Sequence, residues 1–253
     1  MNQPVLAEQI HRVASTSSLF RKTLLKFADS PWRWKEIFAS TSQMGVGSLP
    51  IITLSTAFSG LVVTNEIAWH MDKVLHTVDM MPGFTGQFIL RELGIVIPAL
   101  LLVSKVGAST TAEISTMKVT EQIDALKLLG IDPIKYLVFP RLIASIISTA
   151  ALTIYSVAIT LACAIAVATF RYHFSVAEYL NALRHFVTFA DLFYALIKGA
   201  VFGTVIPIIS CSYGFECKGG AEGVGNATTN AVVASTIAVI FLDFALTLLF
   251  TYL

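Results

Sequence analysis

Glu92, Lys198 and Asp243 are ionisable residues set in or at the edge of long apolar runs. A charge at the centre of a bilayer costs about 2.5–3.5 kcal/mol on insertion scales, so such side chains are usually paired or functional. At about 1.5 Å per residue along a helix, Lys198 lies roughly 10 Å into its run and Asp243 roughly 24 Å along its own. Glu92 opens a third run. If the runs alternate in direction, all three fall in the same outer half of the membrane. Such an acid–base–acid set could neutralise itself and line a polar cavity, with Lys198 as the compact cation that meets a phosphate. It could equally be an ion pair that locks helices together.

The rest of the chain offers little other chemistry. Gly219-Gly220-Ala221-Glu222-Gly223-Val224-Gly225 looks like a phosphate-binding loop, but no GK[ST] ending follows and no strand precedes it. A flexible turn over Lys218–Asn226 is the expectation. There is no GxSxG or HExxH, and His11, His70, His76, His173 and His185 are scattered. Cys163, Cys211 and Cys217 show no metal-ligand or disulfide spacing and read as small apolar residues. The Asn226-Ala227-Thr228 sequon falls on the side expected to be cytoplasmic.

The elements that must position the charged set follow from composition. Of the 253 residues, 55% are hydrophobic and 13% charged, against about 25% charged in soluble domains. The mean hydropathy is +0.75. The fold class expected is an all-α integral membrane protein. A net charge of +1 gives nucleic-acid binding no electrostatic support, and the N-terminus lacks the apolar core and cleavage site of a signal peptide. Five spans are expected, at about Met44–Trp69, Ile89–Ala108, Leu142–Phe170, Leu192–Phe215 and Ala227–Leu249. His70–Gln87 and Tyr172–Ala190 read as loops, the second with room for a short helix.

Residues 1–43 read as a separate segment from the membrane domain, 44–253. Leu6, Ile10, Val13, Phe20, Leu24 and Phe27 form an apolar stripe of an amphipathic helix, suited to the membrane surface or to the protein's own flank. Ser30-Pro31 breaks it, and Trp32, Trp34 and Phe38 suit the interface. Lys and Arg concentrate before the first span and between the second and third. By the positive-inside rule this sets the N-terminus in the cytoplasm and the C-terminus outside.

Between the second and third spans, Glu113 to Gly130 reads as one amphipathic helix. Glu113, Lys118, Glu121, Asp124 and Lys127 surround a stripe of Ile114, Met117, Ile123 and Leu126. A helix of that kind suits a partner's groove, or can lie on the membrane.

The same residues carry a family resemblance. Arg91-Glu92-Leu93-Gly94, Ala112-Glu113-Ile114, Glu121-Gln122-Ile123-Asp124-Ala125-Leu126, Asp132-Pro133, Pro140-Arg141, Lys198-Gly199 and Ala227-Thr228-Thr229 through Leu242-Asp243-Phe244 occur in order. From about Gly60 to Leu249 the chain resembles the MlaE/YrbE permeases, membrane subunits of ABC-type lipid transporters that work with MCE proteins. It departs from them at Ile95, where the family often has Pro, at Lys105, where it has Arg, and at Asn65-Glu66. The resemblance implies a homodimer in the bacterial inner membrane, a cytoplasmic ATPase that binds the ATP and magnesium, an MCE-domain protein on the outer face and a small accessory subunit. It implies phospholipid or a related lipid as cargo, no enzymatic site and no cofactor in this chain. The 113–130 helix would be the coupling helix, with Glu113, Lys118, Glu121, Gln122, Asp124 and Asp132 meeting the ATPase, and Glu92, Lys198 and Asp243 would lie on the substrate path. Two rivals stay open: a proton-coupled transporter using Glu92 and Asp243, and a non-transporting scaffold.

Overall fold

The computed structural model describes residues 3–25 and 33–252. Phe27, the Ser30-Pro31 break and Trp32 fall outside them, as do the side chains of Leu6, Ile10, Val13 and Leu24. The described residues are all-α, and the protein is an integral membrane protein. Among the described residues, four helical stretches are long and apolar enough to cross a bilayer: Trp34–Leu75, Ile134–Tyr172, Phe189–Phe215 and Gly220–Thr251.

Helix α1, Gln3–Leu25, is followed by α2, Trp34–Met44, and α3, Leu49–Leu75. Pro50 sits in the first turn of α3, where its missing N–H costs nothing. The expected loop at His70–Gln87 shrinks to a few residues, because α3 continues to Leu75 and α4 already occupies Met81–Phe88. Met80-Met81-Pro82-Gly83, which reads as a turn by its Pro-Gly pair, therefore marks a helix start. Pro82 lies in the first turn of α4 and is preorganised for it.

The second expected span is a composite rod. After α4 come a π-helical turn, Ile89–Leu93, then α5, Gly94–Leu102, a second π turn, Val103–Gly107, and α6, Ala108–Val119. Each π turn adds a residue to the helical ladder and turns the following face. In the second, Lys105 Nζ donates to the carbonyl of Gly47, at the corner between α2 and α3.

The expected single helix over 113–130 is broken. Thr120 Oγ1 bonds back to the Thr116 carbonyl at 2.8 Å, a local alternative that weakens the helix at that point. Glu121 takes a left-handed backbone, φ 61°, and a short α7, Gln122–Leu128, starts in a new direction. Gly130, at φ 74°, closes α7 as glycine does at helix ends.

A third π turn, Ile134–Val138, runs into α8, Phe139–Tyr172. Helix α9, Val176–Phe186, fills the space foreseen in the loop that follows. Its Ser175–Glu178 capping box closes reciprocally at 2.7 and 3.1 Å. The Ser175 backbone N–H and then its hydroxyl hold the Glu178 carboxyl below its ordinary pKa. The last two helices are α10, Phe189–Phe215, and α11, Gly220–Thr251. The glycine-rich segment is thus mostly the first turns of α11. Only Gly219 and Gly220 need positive φ, at 93° and 67°.

Helix α8 is central, with α3 on one side and α10 on the other. Small residues set these spacings, as is usual between membrane helices. A Cβ on Gly60 would lie 2.6 Å from the Thr160 carbonyl oxygen, and one on Gly203 2.8 Å from that of Ser145. Cys211 and Cys217 are buried and Cys163 is half-buried.

Candidate functional site

Helix α10 begins with a capping box in which the Thr188 backbone N–H and hydroxyl donate to Asp191 Oδ2 at 2.8 and 2.9 Å. The other oxygen of Asp191 accepts from Arg91 Nε at 2.8 Å. This ties the start of α10 to the first π turn. Two turns further along the same face of α10 is Lys198.

Lys198 is the centre of the site. Its Nζ donates to the Arg91 carbonyl at 2.8 Å, to Asp243 Oδ1 at 2.8 Å, to Thr247 Oγ1 at 2.7 Å and to Glu92 Oε1 at 3.3 Å. The Thr247 hydroxyl in turn donates to Glu92 Oε1 at 3.0 Å. Asp243 and Thr247 are one turn apart on α11 and reach Lys198 together. The Lys198 side chain is 3% exposed, that of Asp243 15% and that of Glu92 29%. An ammonium has three N–H groups, so four acceptors saturate it. The π turn supplies one of those acceptors from its own backbone. Beside Lys198 lies a cavity of about 20 Å³, lined in part by Arg91, Tyr194, Thr247 and Phe250. That is room for about one water, with the Tyr194 and Phe250 rings stacked 4.3 Å apart at its edge.

The structure thus brings Glu92, Lys198 and Asp243 into one hydrogen-bonded knot. Thr247, the Arg91 carbonyl and the Arg91–Asp191 pair were not anticipated. The spacing of Thr247, four after Asp243, and of Asp191, seven before Lys198, was the available signal.

The other group of expected residues lies at the opposite end of the rod. Arg141 Nη2 donates to Glu113 Oε1 at 2.7 Å. Lys118 and Lys127 donate to the two oxygens of Asp124 at 2.9 and 2.8 Å. The Lys127 and Lys118 hydrogen bonds lower the exposed Asp124 carboxyl to a pKa of about 2. Asp132 Oδ1 accepts from the Ile134 N–H at 3.0 Å and caps the third π turn. Glu113, Lys118, Asp124 and Asp132 therefore hold this end's own geometry. Glu121 and Gln122 stand exposed at the tip, and Leu128 and Leu129 are 90% and 75% exposed.

The apolar stripe expected to fill a partner's groove does not face outward. Ile114 and Ile123 are buried in one cluster with Leu19, Leu137, Val138 and Cys211, and Met117 and Leu126 pack against it. The break at Glu121 lets α7 fold its apolar side onto the protein. What stays exposed at this end is the tip.

The sequence also matches known proteins. Residues 37–249 match the family model described as Permease MlaE. A probable ABC transporter permease protein of Rickettsia felis is 40% identical over 212 residues, covering 82% of this chain and 80% of the relative. One from Pyropia yezoensis is 34% identical over 249 residues, covering 97% and 93%. One from Synechocystis is 37% identical over 205 residues, covering 81% and 78%.

Proposed function

The chain belongs to the MlaE permease family and is an ABC transporter permease, and from that premise we propose that it moves phospholipid or a related lipid between the bacterial inner membrane and the cell envelope. In this reading two copies form a homodimer. A separate cytoplasmic ATPase binds ATP and magnesium and docks at the tip formed by Glu121, Gln122, Leu128 and Leu129. An MCE-domain protein covers the outer face, and a small accessory subunit joins the cytoplasmic side. The N-terminus is cytoplasmic and the C-terminus periplasmic.

The observation that carries this reading is the rod Met81–Val119. It holds Arg91 and Glu92 of the knot and runs without a loop to the start of the exposed tip. A displacement at the tip reaches the knot through one helical body, and the two π turns are where such a body can change register.

Glu92, Lys198 and Asp243 lie on the substrate path, with Lys198 as the partner of a lipid phosphate. In the arrangement described Lys198 has no spare donor, so phosphate can enter only when one acceptor leaves. Glu92 makes the longest contact, 3.3 Å, and is the most exposed of the three side chains, so it is the one that yields. Asp243 keeps the ammonium in place and offsets its desolvation.

Purification from native membrane, followed by mass spectrometry of bound protein and lipid, tests the reading. Co-purification of an ATPase together with phospholipid in excess of the bulk composition is expected. A complex with neither overturns it.

A further inference from the structure

Of the apolar stripe that the sequence places on α1, the one described side chain, Phe20, is exposed. Among the other described side chains, a small and polar face docks α1. Thr16 Oγ1 donates to Ser212 Oγ at 3.1 Å, and the Ser15 and Ser212 hydroxyls lie 3.4 Å apart. Arg12 covers the Tyr213 ring at 5.0 Å. Leu19 and Thr23 are buried on the same side. This anchors α1 to the end of α10 that lies beside the tip, and to the third π turn.

Leu19 is part of the buried cluster that also holds Ile114, Ile123 and Leu137. A single apolar cluster therefore joins α1, the third π turn and α7. Because packed clusters are close to incompressible, a shift of α1 is passed to its neighbours.

The outward side of α1 has a different character. Phe20, Arg21, Lys22 and Leu25 are exposed there. Residues 1–43 hold Arg12, Arg21, Lys22, Lys26, Arg33 and Lys35 against Glu8, Asp29 and Glu36, a net charge of +3, whereas the whole chain carries +1. The remaining chain is therefore slightly acidic. Exposed aromatic and aliphatic side chains beside Arg and Lys, level with the ends of membrane spans, match the chemistry of an anionic lipid surface.

We propose that α1 senses anionic lipid in the leaflet at the α7 end and transmits its binding, through Leu19 and the shared cluster, to the partner-docking tip. Arg21 and Lys22 meet the headgroups, and Phe20 and Leu25 enter the boundary between headgroups and acyl chains. The consequence for transport rests on the reading above, in which an ATPase docks at that tip. The link from α1 to α7 does not.

Hydrogen exchange on the full-length permease tests the link directly. The protein is placed in vesicles of phosphatidylcholine alone, or of phosphatidylcholine mixed with phosphatidylglycerol. Residues 12–25 and 122–128 are followed, with α9 as the control at the opposite end. The expected result is several-fold slower exchange in both segments with phosphatidylglycerol, weakened by added salt, and unchanged exchange in α9. Arg21→Gln with Lys22→Gln should abolish the response in both. Leu19→Ala should keep it in α1 and lose it in α7. Equal exchange in the two vesicles overturns the proposal, as does slowing confined to α1 in the unaltered protein. Protection of α1 that appears only on adding the ATPase and ignores vesicle charge assigns that face to a protein partner instead, and also overturns it. If no ATPase binds, the transporter reading falls while the exchange result still decides the link.

Discussion

The two ends of the rod Met81–Val119 hold charges in opposite ways. At the knot, Lys198 is enclosed and every donor is used. At the tip, Asp124 is exposed and bonded to two lysines that are themselves partly in water. A buried ion set is costly to break because each remaining member loses its partner in a low-dielectric site. An exposed one contributes little, since water replaces the partner. The knot is therefore a place where sequence change is expensive, and the tip a place where charge can be altered for recognition at little cost to the fold.

The largest effect should come from Lys198→Ala. It leaves Glu92, Asp243 and the Arg91 carbonyl without their cation, and breaking a buried pair from one side costs about 3–5 kcal/mol. Thermal unfolding in detergent should show a clear drop, and lipid transport should be lost. Replacing Lys198 by Met together with Asp243 by Leu separates locking from transport. Stability should return in part, because apolar residues of similar size substitute well for the Lys198–Asp243 pair while Glu92, which is 29% exposed, keeps its bond from Thr247, and transport stays absent. Full transport by the stable double variant would remove Lys198 from the substrate path.

Thr247→Val should be smaller. It keeps the shape but deletes the hydroxyl that accepts from Lys198 and donates to Glu92. Leaving buried polar groups short of a partner costs about 1–3 kcal/mol. If unfolding is unchanged, the Thr247 bridge is not part of what holds the knot.

Reversing charge at the tip with Glu121→Lys should move stability by no more than about 0.5 kcal/mol, as for surface positions generally. ATP hydrolysis should no longer be coupled to lipid movement. Unaltered ATPase binding and transport in this variant would show that the tip is not the docking surface.

The smallest effect is in pH. The folded Asp124 pKa lies below its ordinary value, near 2, so its bonds are fully in place above the ordinary carboxylate pKa of about 3.9. They are lost only as pH falls through the folded value. Carboxyl carbon NMR of Asp124 should titrate near 2. An ordinary midpoint would mean that Lys118 and Lys127 do not hold it in solution.

The comparison also separates what local sequence carries from what packing adds. Hydropathy sums along the chain, so the long runs ending at Phe215 and near Leu249 were readable as spans, and Gly130 was readable as a helix stop because its backbone preference is local. The meeting of Glu92, Lys198 and Asp243 followed from counting depth along alternating helices. Its chemistry did not. Whether Lys198 faces a cavity or a saturated knot depends on the rotation of three helices about their axes. Close approaches such as Gly94 to Val157 and Gly203 to Ser145 help set those rotations, and the π turn presents the Arg91 carbonyl to Lys198.

At the tip the same division holds. Alternating charge and apolar residues over 113–130 were visible as an amphipathic pattern. Periodicity alone could not show that Glu121 reverses the chain and folds Ile123 and Leu126 inward beneath α1. The sequence by itself determined an all-α membrane protein with charged residues inside it and an amphipathic segment between two spans, because transfer free energy and helix periodicity are properties of neighbours along the chain. Only the tertiary structure decided which charges are spent on one another and which face outward, because hydrogen-bond partners and burial depend on groups as far apart as Arg91 and Lys198, or Leu19 and Ile123.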